Sequence, residues 1–209
     1  MTKLSTYNSI GVDIDGVLSD IAGHLVTFAN KRFNCNLSIA DIVSENVETC
    51  SDLSAEQLRQ IFSTSAFFKT LPVLNSASES LKQLRQKGLK IILMTDRFWY
   101  PGIQEDTVHW LRRNRIPFDS VCFVGKSKKA EMARKLNIKL FIEDQLTNAN
   151  TLAQVCERVF LVNRTYNQGR VPPAVQRVSS VKEAVSLLIA NGLAKPKTKK
   201  NVAVVQKLA

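Results

Sequence analysis

Two hydrophobic rhythms alternate along the chain. Short apolar runs fall at Ile10–Val12, Lys90–Met94, Ser120–Val124, Lys139–Ile142 and Arg158–Val162. Continuous runs of this length, without a polar alternate position, read as strands buried on both faces. Between them the apolar positions take helical spacing: Ile21, Leu25, Phe28 and Ala29; Ala77, Leu81 and Leu84 around 78–87; Val108 and Leu111 within 107–115; then 129–136, 148–155 and 181–190. Gly88 stands where a left-handed helix cap is required, and Ile116-Pro117 breaks the helix before the third strand. Strands alternating with helices predict an α/β fold, a Rossmann-like parallel sheet with helices on both faces.

One stretch interrupts the alternation. From residue 19 to 74 the chain is polar, helical in rhythm and poor in β-branched runs, with Ser54-Ala55-Glu56-Gln57 as a capping box ahead of Leu58, Ile61 and Phe62. The expected organisation is a core of residues 1–18 and 75–193, a small helical cap of residues 19–74 inserted after the first strand, and a basic, flexible tail of residues 194–209. A plain helical subdomain without a role in recognition is the alternative for the insertion.

Ligands of such sheets sit beyond the carboxyl ends of the strands, near the topological switch point. Asp13-Ile14-Asp15-Gly16, Thr95-Asp96-Arg97 and Glu143-Asp144 all fall there. On extended backbone Asp13 and Asp15 share a face, and two carboxylates so close repel unless a cation lies between them. Magnesium, a hard ion with few protein ligands, suits that position. Taken alone, Asp-x-Asp-Gly reads equally well as turn chemistry. Three polar strand ends, with Gly125-Lys126-Ser127-Lys128-Lys129 following another strand, raise it above that. Carboxylates, a hydroxyl and a lysine make a phosphoryl-transfer site.

Composition sharpens this little. The 209 residues carry a formal charge of +11 and a pI near 9.7, which favours anionic partners such as phosphorylated metabolites, nucleic acid or an acidic membrane surface. Five of those charges lie on Lys195, Lys197, Lys199, Lys200 and Lys207, so the body is only moderately basic and a solvated tail is favoured over nucleic-acid binding. Cys35, Cys50, Cys122 and Cys156 form no Cys-x-x-Cys pair and read as reduced thiols. With no apolar segment of membrane-spanning length, the expected address is the cytoplasm, without membrane association. His24 and His109 are solitary and carry no assigned role.

The ordered motifs resemble the haloacid dehalogenase (HAD) superfamily of phosphohydrolases. Asp13-Ile14-Asp15-Gly16 matches its first motif, Ile91–Thr95 its second, a lysine at a helix start its third, and Leu140–Asp144 its fourth. Thr95-Asp96-Arg97, Trp110-Leu111, Ile116–Asp119 and Phe141–Asp144 with Asn148-Ala149 resemble the cytosolic 5′(3′)-deoxyribonucleotidase group and its bacterial relatives. The resemblance implies that Asp13 is a nucleophile forming an aspartyl-phosphate, and that Asp15 protonates the leaving oxygen and later activates water. It places Mg2+ on Asp13, Asp144 and the backbone carbonyl of Asp15, whose side chain stays free, with Glu143 reaching the ion through water. Thr95 and Lys129, with Asp96 and Arg97, would bind the phosphorylated substrate. Lys126 and Lys128 compete with Lys129 for the phosphate, and Arg97 competes with its own reading as a surface ion pair. Phe98, Trp99 and Tyr100 either stack a nucleobase or pack the cap.

The leading expectation is therefore a Mg2+-dependent 5′-nucleotidase acting on nucleoside monophosphates. Its rivals are a polynucleotide-end or small-metabolite phosphatase and, of another class, a non-catalytic binding or regulatory relative. The oligomeric state is not readable from the sequence.

Overall fold

The computed structural model describes residues 7–45, 52–125, 127–190 and 204–206. Among them seven strands form one sheet: β1 (Ser9–Val12), β2 (Lys90–Thr95), β3 (Ser120–Phe123), β4 (Leu140–Glu143), β5 (Arg158–Val162), β6 (Val175–Val178) and β7 (Val204–Gln206). Their spatial order is β6-β5-β4-β1-β2-β3-β7 and every pairing is parallel. The chain runs outward from β1 through β2 to β3 and then resumes on the other side of β1 with β4. The switch point therefore lies between β1 and β4, where a ligand crevice is expected.

The period of two along each strand builds two cores. Leu93 and Ile142 point into one with Leu81 and Leu84 of α4 (Ala77–Gln86), Leu111 of α5 (Ile103–Arg113) and Val185 of α8 (Val181–Ala190). Met94 and Phe141 point into the other with Ala133 of α6 (Lys129–Lys135) and Ala149 and Leu152 of α7 (Leu146–Leu152). Helices on both faces are thus a consequence of strands apolar on both faces. Gly11 has a specific reason: a side chain there would run into the ring of Phe141 on the neighbouring strand.

Two strands go beyond the five read from the pattern. Val175-Gln176-Arg177-Val178 buries only its two valines, so neither rhythm marks it, and it forms as an edge strand beside β5. Val204–Gln206 lies inside the stretch expected to be a flexible tail and instead pairs with β3 from Ser120 to Cys122. The other residues of 194–209, and Cys50, lie outside the described residues.

Between β1 and α4 come α1 (Ile21–Phe33), a 3-10 turn (Ile39–Asp41), α2 (Ala55–Phe62) and α3 (Ser65–Lys69). The Ser54 hydroxyl accepts from Gln57 N and the Gln57 side chain accepts from Ser54 N, so the expected capping box starts α2. The two ends of the insertion are tied together: Asp20 N donates to the Pro72 carbonyl at 2.9 Å and Leu74 N to the Leu18 carbonyl at 2.8 Å. Inside it, Phe67 packs edge-on against Phe28, Phe62 and Phe68, and His24 lies against Phe67.

Candidate active site

β1 delivers the first two acids and then must leave the sheet abruptly. Asp13 N still donates to the Ile142 carbonyl at 2.9 Å, while Leu18 N and Ser19 N both return to the Ile14 carbonyl. Gly16 makes that turn at φ +71°, in the left-handed region, and a Cβ there would overlap the Asp144 carboxylate and crowd the Tyr166 hydroxyl. Backbone geometry and space both demand glycine.

Asp13 is buried, with Lys129 Nζ 2.7 Å from its Oδ2, and the same ammonium lies 3.0 Å from Glu143 Oε2. Of the two candidate lysines among the described residues, Lys129 is the one turned inward: it opens α6 on the face of buried Ala133, whereas Lys128 is exposed; Lys126 lies outside the described residues. Burial would lower the Lys129 pKa, but the Asp13 and Glu143 carboxylates outweigh it and push the group above its ordinary value. Glu143 also accepts from Gln145 N and Asn148 Nδ2, so it anchors the lysine and the start of α7.

Asp15 departs from expectation. Its side chain is not free: Arg97 Nε donates to Oδ2 at 2.8 Å, Nη2 to Oδ1 at 2.6 Å, and the Ser19 hydroxyl to Oδ1 at 2.8 Å. Arg97 is itself fully buried, between the Phe68 and Trp110 rings, with Nη1 on the Thr107 hydroxyl. Each of its three nitrogens has a partner inside the protein and the side chain is fully buried, so the geometry makes Arg97 a holder of Asp15 instead of an anion contact or a surface ion pair. Burial alone would raise the Asp15 carboxyl, but the guanidinium fork holds it below the usual carboxylate range.

Two buried side-chain oxygens among the described residues have no partner: Thr95 Oγ1 and Asp144 Oδ1. The other Asp144 oxygen accepts from the Tyr166 hydroxyl. Asp13, Glu143 and Asp144 bring ligand atoms within 4.8 Å of one another, and among the described residues Lys129 is the one ammonium paired with them, a deficit of positive charge against three carboxylates. Burial, and then the charge of Glu143 on Asp13 and of Asp13 on Asp144, drives both carboxyls well above the ordinary carboxylate range. An orphaned carboxylate oxygen in a hard-oxygen cluster with that deficit fits a divalent cation, and the Thr95 hydroxyl fits an incoming acceptor or donor beside it.

Above these groups a cavity of about 550 Å³ opens between core and insertion. Asp13, Asp15, Asp96 and Asp144 form its acidic floor, Leu25, Leu58 and Phe62 its roof, and Phe98 and Trp99 one wall. Trp99 stacks on Phe62 with ring centroids 4.9 Å apart, while Tyr100 turns away to donate to Asp106. The aromatic triplet thus divides, two rings facing the cavity and one packing. Glu45 reaches across from the insertion and accepts from Leu146 N, Thr147 N and the Thr147 hydroxyl at the start of α7.

The sequence reading missed the loop after β5. Arg164 donates through Nε and Nη2 to the Gly16 carbonyl, Tyr166 to Asp144, and Asn167 Nδ2 to the Asp144 carbonyl. Asn163-Arg164-Thr165-Tyr166-Asn167 carries no hydrophobic period, and the polar run directly after the β5 strand end was the signal available.

A parallel sheet with this switch point, an Asp-x-Asp-Gly turn, a buried lysine and paired acids on β4 defines a phosphatase of the HAD type. Comparison with known families narrows the class. The chain belongs to the family described as 5' nucleotidase, deoxy (Pyrimidine), cytosolic type C, whose profile matches residues 8–193. It is 27% identical over 177 residues to a protein of Halalkalibacterium halodurans provisionally named a nucleotidase, covering 83% of this chain and 89% of the relative. A nucleotidase of Clostridium acetobutylicum is 26% identical over 164 residues, 77% of this chain and 82% of that protein. Among solved structures, a HAD family hydrolase from Deinococcus radiodurans R1, with bound phosphate and sodium, superposes with a TM-score of 0.61 at 18% identity, over 92% of this chain and 99% of that one. At that identity the likeness concerns the fold.

Proposed function

We propose that the protein is a Mg2+-dependent phosphomonoester hydrolase that acts through an aspartyl-phosphate on Asp13, and that its substrates are nucleoside 5′-monophosphates. The observation that carries this is the pair of partnerless buried oxygens, Thr95 Oγ1 and Asp144 Oδ1, beside the Asp13–Lys129 ion pair on the floor of one cavity. Mg2+ would be held by Asp13, Asp144 and the Asp15 carbonyl, and when bound supplies charge neutralisation for the phosphoryl oxygens.

The protein's own groups divide the remaining work. Lys129 and the Thr95 hydroxyl receive phosphoryl oxygens, and the ammonium, 2.7 Å from Asp13, opposes the rise that burial imposes on that carboxyl and so favours the ionised form that attacks phosphorus. Attack forms the Asp13 O–P bond as the bond from phosphorus to the ester oxygen breaks, and Asp15 gives that oxygen a proton. Water then attacks phosphorus, Asp15 takes its proton, and phosphate leaves with the Asp13 carboxylate restored. The Arg97 fork favours the ionised Asp15 that this second step needs. Protonated Asp15 in the first step requires the pair to loosen.

Residues 19–74 are read as the cap, supported by the tie between Leu18–Asp20 and Pro72–Leu74 at its base. The stacked Phe62 and Trp99 and the half-exposed Phe98 offer planes that suit a nucleobase. A cytoplasmic location fits the family description, and no helix among the described residues is long and apolar enough to cross a membrane. The test is phosphate release from p-nitrophenyl phosphate and a panel of nucleotides with Mg2+ or EDTA. We expect release that needs Mg2+, prefers nucleoside 5′-monophosphates and is abolished in Asp13→Asn; no release from any monophosphate would defeat the reading.

A further inference from the structure

The loop after β5 lies outside the four strand-end clusters, yet it grips two of them. Its grip is rigid: Asn167 is fully buried and bridges the Asp144 carbonyl at 2.6 Å and the Val162 carbonyl at 2.7 Å through one amide nitrogen. Arg177 on β6 holds the loop from outside, donating to the Asn167 carbonyl at 2.7 Å and the Gly169 carbonyl at 2.9 Å. Arg164 fixes the Gly16 carbonyl, one residue beyond Asp15. Tyr166, on this frame, donates its hydroxyl to Asp144 Oδ2, while Oδ1 of the same carboxylate is buried with no partner.

We infer that Tyr166 is a positioning residue that occupies Asp144 Oδ2 and so makes Oδ1 the single oxygen that Asp144 offers to a cation, which selects Mg2+ against Ca2+. The inference rests on the functional reading in taking Asp144 as a metal ligand. An untethered carboxylate binds a cation through one oxygen or two. Ca2+ accepts six to eight ligands with bidentate carboxylates, whereas Mg2+ demands near-octahedral single-oxygen ligation. Holding Oδ2 on a phenol disfavours the bidentate option, because that oxygen must turn from the hydroxyl to meet the ion. It also fixes the plane of the carboxylate, so that no ordering of the side chain remains to be done when the ion arrives. The Gly16 turn serves the same arrangement, since any Cβ there would displace both the carboxylate and the hydroxyl.

The test is isothermal titration of MgCl2 and CaCl2 into the metal-free full-length protein, Tyr166→Phe and Asp144→Asn. Tyr166→Phe removes one oxygen and no ring, and melting of the metal-free variant controls for folding. Outer-shell partners of metal ligands typically contribute about 10–100-fold in affinity, so Mg2+ binding by Tyr166→Phe should weaken by about that factor. The Ca2+-to-Mg2+ affinity ratio should rise, because the released Oδ2 can now join Ca2+, and a purely structural role for Tyr166 would not move that ratio. A Mg2+ affinity within about twofold of wild type overturns the inference, as does equal weakening for both ions. If wild type binds Mg2+ and Asp144→Asn binds it as well, the metal reading of Asp144 fails, and the inference with it.

Discussion

Lys129→Met tests the charge balance of the site most directly. The substitution keeps the length of the stem and removes the one ammonium held between Asp13 and Glu143, at 2.7 and 3.0 Å. At an effective dielectric near 20 each contact has a gross attraction of about 6 kcal/mol, much of which is spent on taking the ammonium out of water. Breaking a buried pair by removing one partner costs about 3–5 kcal/mol net, which for a chain of this size corresponds to a fall in melting temperature of roughly 6–20 °C. The deficit should depend on pH. Lys129 has a folded pKa above its ordinary value, so it is charged throughout pH 5–8 and its own titration adds no pH dependence there. Asp13 and Glu143 are raised, so the native state keeps protons that the unfolded chain has released, and stability falls as pH climbs from about 4 through their folded values. Without Lys129 to oppose it, that fall steepens. Thermal melts in EDTA at pH 5, 6.5 and 8 should therefore show the gap between wild type and variant widening with pH, and Mg2+ should narrow it at pH 8. A gap below about 2 °C at pH 8, or one that does not change with pH, would refute the role of Lys129 as the compensating charge.

Two further substitutions separate metal binding from orientation. Asp144→Asn removes a carboxylate that burial and Asp13 push well above its ordinary range, so the metal-free protein should melt a few degrees higher at pH 8, by a margin that shrinks towards pH 5, while the Mg2+-induced rise in melting temperature disappears. Arg97→Lys replaces a planar fork on Asp15 by a point charge, and steady-state kinetics should show kcat falling by about 10²-fold with KM little changed; an unchanged kcat would release Asp15 from its dependence on the fork.

The strand-end chemistry was legible because it is local. An apolar run ending in a polar residue announces both the element and the side chain that emerges from it, and Asp13, Thr95 and Asp144 could each be placed on that basis. Lys129 against Lys128 was a question of helix phase, which Ala133 four residues on could answer only once the inward face of α6 was known. What escaped is tertiary. Arg97 sits two residues past Thr95, where an anion contact is the obvious expectation, and its direction is set instead by Phe68, Thr107 and Trp110 from α3 and α5. Tyr166 meets Asp144 across 22 residues from a loop with no period, and β6 and β7 are edge strands too short or too polar to carry one.

The two cations therefore do different work on the two aspartates of the first motif. Lys129 is a point charge shared between Asp13 and Glu143, so one ammonium balances two buried acids at once. Arg97 is a rigid fork that fixes the plane of the Asp15 carboxylate and favours its ionised form. The fork in turn packs on Phe68 of the insertion, 5.1 Å from the ring centroid, so α3 and Asp15 are in register through one buried side chain. A shift of α3 on the core would reach Asp15 before it reached Asp13, whose neighbours Ile142, Lys129 and Glu143 all belong to the sheet and α6. On the proposed mechanism, that asymmetry would put the nucleophilic attack within the core and the proton transfer on the side of the site that the insertion touches.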